Sequence, residues 1–271
     1  MRRLGWYAGT AAILVVALVP VLWIVSLSLK SPATITDGRP WPADPTLQNY
    51  RSIAGSALFT RALLNSVGIG LTTTVLAVAL ATPAAYALTR QEFRGKALVL
   101  PLTFAVAVFP PIAVVGPLFD LWRALRLYDT WPGLIIPYLS FALPLAMWTL
   151  TAFFRGLPWE MEEAAQADGA TPWQAFRRVL VPLARPGVLT AAILVFFFAW
   201  NDVVFAISLT SSDRSRTVPA ALAFFPGDEQ FAQPVGSIAA AAVVVTLPVL
   251  VAALVFQRRL VAGLTAGVIR R

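Results

Sequence analysis

Residues 162–186 read EEAAQADGATPWQAFRRVLVPLARP. This run, from Glu162 to Pro186, sets three carboxylates, three arginines and two glutamines between two apolar blocks. It is the longest polar stretch of a 271-residue chain that is 58% hydrophobic, 13% charged and has a mean hydropathy of +0.75. Soluble domains carry about 25% charged residues, so this composition is that of a chain crossing a membrane several times. A polar run of this length has to lie outside the hydrocarbon, and the rest of the topology can be counted outward from it.

Windows of about 19 residues give six apolar spans, at 8–29, 63–88, 97–119, 132–154, 187–209 and 236–256. Met1-Arg2-Arg3 before the first also resembles the start of a signal peptide. The apolar run extends past 20 residues and no A-x-A site precedes the following polar loop, so we read it as a retained helix. The N-terminus, the loops 90–96 and 155–186 and the tail from Gln257 together hold 13 Lys and Arg, against 8 in the loops 30–62, 120–131 and 210–235. The positive-inside rule then predicts cytoplasmic N- and C-termini, with the 155–186 loop on the cytoplasmic side. The pI near 10.8 is a topology signal facing membrane lipids. A nucleic-acid partner would need a basic face on a soluble module, and the spans leave no room for one.

The chain has no cysteine and no histidine. Disulfides, thiolate metal sites, a cysteine nucleophile and the commonest general base are excluded with them. No G-x-S-x-G and no Walker A stretch is present, so an intramembrane enzyme has almost nothing to work with and ATP would have to be bound by a separate chain. Prolines are frequent in the spans: Pro83 in the second, Pro110, Pro111 and Pro117 in the third, Pro137 and Pro144 in the fourth. Two readings stand, ordinary kinking or a third span that lines a passage.

Within the polar loop, Pro158 can open a helix, and Glu160, Glu162 and Glu163 fall where the helix dipole favours acids. Gly169 is a natural stop. Thr171 is the expected N-cap of a second helix, with Pro172 in its first position and Gln174 completing a capping box. Trp173, Phe176, Val179 and Leu180 form its apolar stripe, and Pro182 and Pro186 end it. The segment reads as helix, glycine turn, helix. It either lies on lipid headgroups or offers its small alanine face, rimmed by Glu and Arg, to another protein.

Glu163-Ala164-Ala165, three residues, Gly169, nine residues, then Val179-Leu180-Val181-Pro182 resembles the EAA loop of ABC importer permeases. Val179 and Val181 replace Ile and Leu of that pattern. The resemblance covers nearly the whole chain and is to the six-span permeases of the maltose-type carbohydrate branch. Leu22-Trp23-Ile24 with Ser26-Leu27-Ser28-Leu29-Lys30, Asn65-Ser66, Phe198-Ala199-Trp200-Asn201-Asp202 and the tail from Gln257 to Gly267 all resemble that branch. Residues 268–271 depart from its usual ending. Asp129-Thr130-Trp131-Pro132-Gly133-Leu134 and Ala152-Phe153-Phe154-Arg155 are similar to trehalose-recycling importers of actinobacteria.

The resemblance implies an all-α polytopic membrane protein with the six-helix type I ABC importer permease fold, in the bacterial cytoplasmic membrane. It implies a second homologous permease, two ATPase subunits that hold ATP and Mg, and an extracytoplasmic sugar-binding protein. This chain itself would hold no cofactor or metal and have no catalytic site. Glu162, Glu163, Ala164, Ala165, Asp168, Gly169, Ala170, Phe176 and Pro182 would form the coupling helix that docks on an ATPase. Phe224, Phe225, Gly227 and Phe231 would meet the binding protein. Phe198, Trp200, Asn201 and Asp202 are candidates for the sugar path, because Asn201 and Asp202 are the strongly polar pair well inside a span. The alternatives for that pair are a structural hydrogen bond between helices and, in a different class of protein, a proton-coupled secondary transporter using Asp202.

Overall fold

A computed structural model of the chain describes residues 2–224 and 235–265, and among these residues the regular structure is all helical. In order the helices are α1 (Arg2–Ser28), α2 (Gln48–Gly55), α3 (Ala57–Arg90), α4 (Lys96–Val108), α5 (Pro111–Ala124), α6 (Trp131–Arg155), α7 (Glu160–Ala167) and α8 (Pro172–Ala175). A π-helical turn, Phe176–Leu180, leads into α9 (Val181–Leu183), α10 (Arg185–Asn201), α11 (Val204–Leu209), α12 (Val218–Ala223) and α13 (Val235–Thr265). By length and apolar composition four helices can cross a membrane, or up to six if each of two bent pairs is one span.

The centre is the packing of α3 against α6 and α10. Ala77, Ala81 and Ala85 of α3 meet Ala142 and Ala146 of α6 and Ala191 of α10 with no exposed surface. Lipid is as apolar as these side chains, so burial from water does not drive the contact. Small residues let the helix backbones approach, and dispersion forces hold them. α1 lies mainly on α13 and exposes most of its apolar surface.

The expected third span, 97–119, is not one straight helix. α4 and α5 meet at 85°. Phe109 precedes a proline and takes an extended conformation, ψ 131°, and Pro110 and Pro111 have no N–H to continue the ladder. The 13 residues of α4 rise about 20 Å, short of a hydrocarbon layer of about 30 Å. The expected fifth span, 187–209, is interrupted too. α10 ends at Asn201, and α11 restarts at Val204. Pro186 does not end the preceding helix but sits in the first turn of α10, where its missing donor is harmless.

Candidate functional site

The 155–186 segment folds as a hairpin of α7 and α8. Glu160, Glu162 and Glu163 occupy the first turn of α7. Gly169 reverses the chain at φ +90°, with open space around its α-carbon. The turn therefore needs glycine for its backbone conformation alone. Thr171 Oγ1 accepts from the Gln174 N–H at 3.3 Å, and Gln174 Oε1 accepts from the Thr171 N–H at 2.9 Å, completing the capping box. Phe176, the first residue of the π-helical turn that follows, is buried.

Two residues of α3, one turn apart, hold the hairpin. The Tyr86 hydroxyl donates to Glu162 Oε1 at 2.6 Å, and its ring lies 4.7 Å from that of Phe176, on the other arm. Arg90 Nη2 donates to the Leu157 carbonyl at 2.8 Å, the guanidinium stacks 4.1 Å from the Trp159 ring, and Nε stands 3.6 Å from Glu162 Oε2. At 3.6 Å the last contact is an ion pair without a hydrogen bond, and among the described residues neither atom has a hydrogen-bond partner. Phe154 of α6 closes the aromatic cluster.

This changes the roles of two residues in the expected docking set. Glu162 is 6% exposed and Phe176 4% exposed, so both face the body of the protein. They anchor the hairpin and do not present themselves to a partner. Glu163, Ala164, Asp168 and Gly169 lie exposed on the far face, while Ala165, Ala170 and Pro182 are half-buried. Trp173, expected in the apolar stripe, is 62% exposed and tilts against the Phe176 ring at 5.1 Å. With Met161, also exposed, it adds an apolar surface beside the acidic and alanine face. In the sequence Glu162 and Glu163 are adjacent and alike. Only the Tyr86 and Arg90 pair, i and i+4 on α3, separates them.

At the opposite end of α3 a second set of hydrogen bonds ties the chain together. Asn65 Nδ2 donates to the carbonyls of Asp213 and Arg216, each at 3.0 Å, and its Oδ1 accepts from Trp131 Nε1 at 3.0 Å. Ser66 Oγ accepts from the Val218 N–H at 2.8 Å. Asp129 Oδ1 accepts from the N–H groups of Ser211 and Ser212 at 3.0 and 3.1 Å and from Ser215 Oγ at 2.8 Å, and Oδ2 accepts from Ser212 Oγ. Partial burial raises the Asp129 pKa, but hydrogen bonds from Ser212, Ser211 and Ser215 outweigh it and hold the carboxyl below its ordinary range. Near the end of α1, the buried Lys30 ammonium donates to Asp37 Oδ1 at 2.6 Å and to the Arg39 carbonyl at 2.8 Å.

The pair Asn201 and Asp202 divides. Asp202 Oδ2 accepts from the Tyr138 hydroxyl at 2.9 Å and from the Ala206 N–H at 3.0 Å. It thus caps the first turn of α11 and ties it to α6. Asn201 is exposed and donates to the Phe197 carbonyl one turn back, at 2.8 Å. Trp200 is buried against Phe196, and Phe198 packs edge-on to Tyr138. Of the expected binding-protein contacts, Phe224 is 54% exposed with the Arg216 guanidinium 5.5 Å from its ring. Phe225, Gly227 and Phe231 lie outside the described residues. Among the described residues no group of three or more acids converges as metal ligands.

Against known proteins, residues 74–265 match the family described as "Binding-protein-dependent transport system inner membrane component". The chain is 55% identical over 270 residues to the trehalose transport system permease protein SugB of Mycobacterium tuberculosis, covering 99% of this chain and 98% of the relative. It is 39% identical over 264 residues to the sulfoquinovosyl glycerol transport system permease protein SmoH of Agrobacterium fabrum, covering 96% and 92%. A solved bacterial ABC transporter involved in alginate import contains a chain of similar fold, with TM-score 0.77, 25% identity and coverage of 95% and 96%.

Proposed function

The chain belongs to the family of binding-protein-dependent transport system inner membrane components, and from that premise we propose that it is one permease half of an ATP-driven sugar importer whose substrate is trehalose. The observation that carries the sugar is the 55% identity, over 99% of the chain, to a permease named for trehalose transport. The relative at 39% is named for a different glycoside, so similarity at that level supports sugar import and the higher identity supports trehalose. No observation favours a proton-coupled carrier.

In this reading the α7–α8 hairpin faces the cytoplasm and its exposed surface, with Glu163, Ala164, Asp168, Gly169, Met161 and Trp173, docks on an ATPase subunit. The alanines permit close approach and the acids meet basic groups at the rim. A second ATPase and a second permease complete the assembly, and ATP with Mg is held by the ATPases. An extracytoplasmic binding protein delivers sugar to the end carrying Asn65, Asp129 and Phe224. The sugar path runs past Asn201, whose amide is exposed, while Asp202 shapes the wall as a cap. The broken α4–α5 segment presents the uncovered apolar side chains Leu102, Phe104, Phe109 and Ile112, which support its packing against the second permease.

The test is uptake of labelled trehalose by cells in which the gene for this chain is deleted and restored. The reading expects uptake only with the chain present, lost on ATP depletion and insensitive to a protonophore while ATP is maintained. Uptake abolished by the protonophore under maintained ATP would overturn it.

A further inference from the structure

We propose that α3 is a strut that carries nucleotide-driven movement of the α7–α8 hairpin to the loop following α11, with Tyr86 and Arg90 as positioning residues at one end and Asn65 and Ser66 at the other. This rests on the reading that an ATPase docks on the hairpin.

Tyr86 and Arg90 are four residues apart and lie on one face of α3. Together they grip the hairpin at five places: the Leu157 carbonyl, the Trp159 ring, both carboxylate oxygens of Glu162, and Phe176 on the second arm. Arg90 and Glu162 have side-chain exposures of only 3% and 8%. A buried charge pair resists separation, because parting the ions leaves each uncompensated in a low-dielectric place. The hairpin is therefore held to α3 in one arrangement and cannot swing without pulling on it.

At the other end Asn65 and Ser66 hold three backbone groups of the 213–218 segment. From Asn65 to Tyr86 the helix runs unbroken through Pro83, about 32 Å, the thickness of the hydrocarbon layer. Its middle is fixed by Ala77, Ala81 and Ala85, fully buried on α6. A packed helix with directional bonds at both ends transmits displacement instead of absorbing it.

The chain has no cysteine, so a single reporter can be placed. Arg214→Cys sits on the exposed part of the 210–217 segment. The complex, with cysteine-free partner subunits, is reconstituted in nanodiscs, and maleimide labelling of the reporter is timed with and without ATP–vanadate trapping. With α3 otherwise native, trapping is expected to change the labelling rate about fivefold or more, the range of ordinary coupling. In Tyr86→Phe/Arg90→Gln complexes that still hydrolyse ATP, the change is expected to fall to near unity. Should the double variant not assemble, Tyr86→Phe alone, which lacks a single oxygen, is expected to reduce the change by at least about half. A full change in either assembled variant, or no change with native α3, overturns the strut. A purified complex that contains no hydrolysing ATPase overturns the docking reading, and the strut with it. A merely structural role would lower the yield of complex and leave the nucleotide-dependent ratio intact.

Discussion

Tyr138 and Asp202 are joined by a 2.9 Å hydrogen bond across α6 and the break after α10, and the same carboxylate oxygen accepts the Ala206 N–H at 3.0 Å. An intramembrane acid with both partners in place is a structural group. Asp202→Asn keeps an acceptor at that position and is expected to leave uptake and its ATP dependence near normal. Asp202→Ala removes the acceptor of both the Ala206 N–H and the buried Tyr138 hydroxyl and is expected to cost on the order of 1–3 kcal/mol of stability, read as earlier thermal unfolding in detergent. Loss of uptake in a well-assembled Asp202→Asn complex would assign the carboxylate a transport role instead.

The exposed face of the hairpin gives a second prediction. Ala164→Trp adds bulk to an exposed alanine, and Gly169→Trp forces a side chain onto a residue at φ +90°, a strain of about 1 kcal/mol or more. Neither position touches the core, so both variants are expected in the membrane in normal amounts, with binding-protein-stimulated ATP hydrolysis largely lost. Normal stimulation in both would remove this face from the docking surface.

The Asp129 clasp predicts an acid-sensitive loop. Its native pKa is lowered, so the charged form stabilises the folded loop at any pH above the unfolded value, about 3.9. That stability is lost as pH falls through the native value, and it is flat across neutral pH. Protease nicking of the 210–217 segment should rise only below about pH 4 and be high at all pH values in Asp129→Ala. That substitution leaves donors of Ser211, Ser212 and Ser215 without their shared acceptor, a cost on the order of 1–3 kcal/mol.

Gly68 meets Trp131 closely. A β-carbon at Gly68 would stand 2.2 Å from the far edge of the Trp131 ring. Gly68→Ala is expected to destabilise by about 1–3 kcal/mol through overpacking, seen as a lower unfolding midpoint. Trp131→Phe removes the clashing ring edge but also the Nε1–H that Asn65 Oδ1 accepts, so combined with it the substitution should restore only part of that loss.

Much of this was legible in the sequence. The Gly169 turn and the Thr171–Gln174 capping box follow from local chemistry, and both are formed. Long apolar runs marked α1, α3, α6 and α13 as candidate spans. What the residues alone left open depends on distant partners. Glu162 and Glu163 differ in role only because Tyr86 and Arg90, more than seventy positions away, reach one of them. Of the apolar stripe, Phe176 and Leu180 are buried as ordinary helical spacing foresees, while Trp173 stays exposed against the Phe176 ring. Phe109-Pro110-Pro111 announced a break, yet not that it would turn the chain by 85°. The Asp129 clasp rests on three serines more than eighty residues downstream, with no local signal.

In the proposed importer this chain couples sugar delivery outside to ATP hydrolysis inside. The direct measurement is ATPase rate of the purified complex in lipid nanodiscs, with and without the binding protein and trehalose. Stimulation is expected to require both and to vanish with Gly169→Trp. Stimulation by the binding protein with another sugar and not with trehalose would contradict the substrate. A rate indifferent to the binding protein with any sugar would contradict the coupling itself.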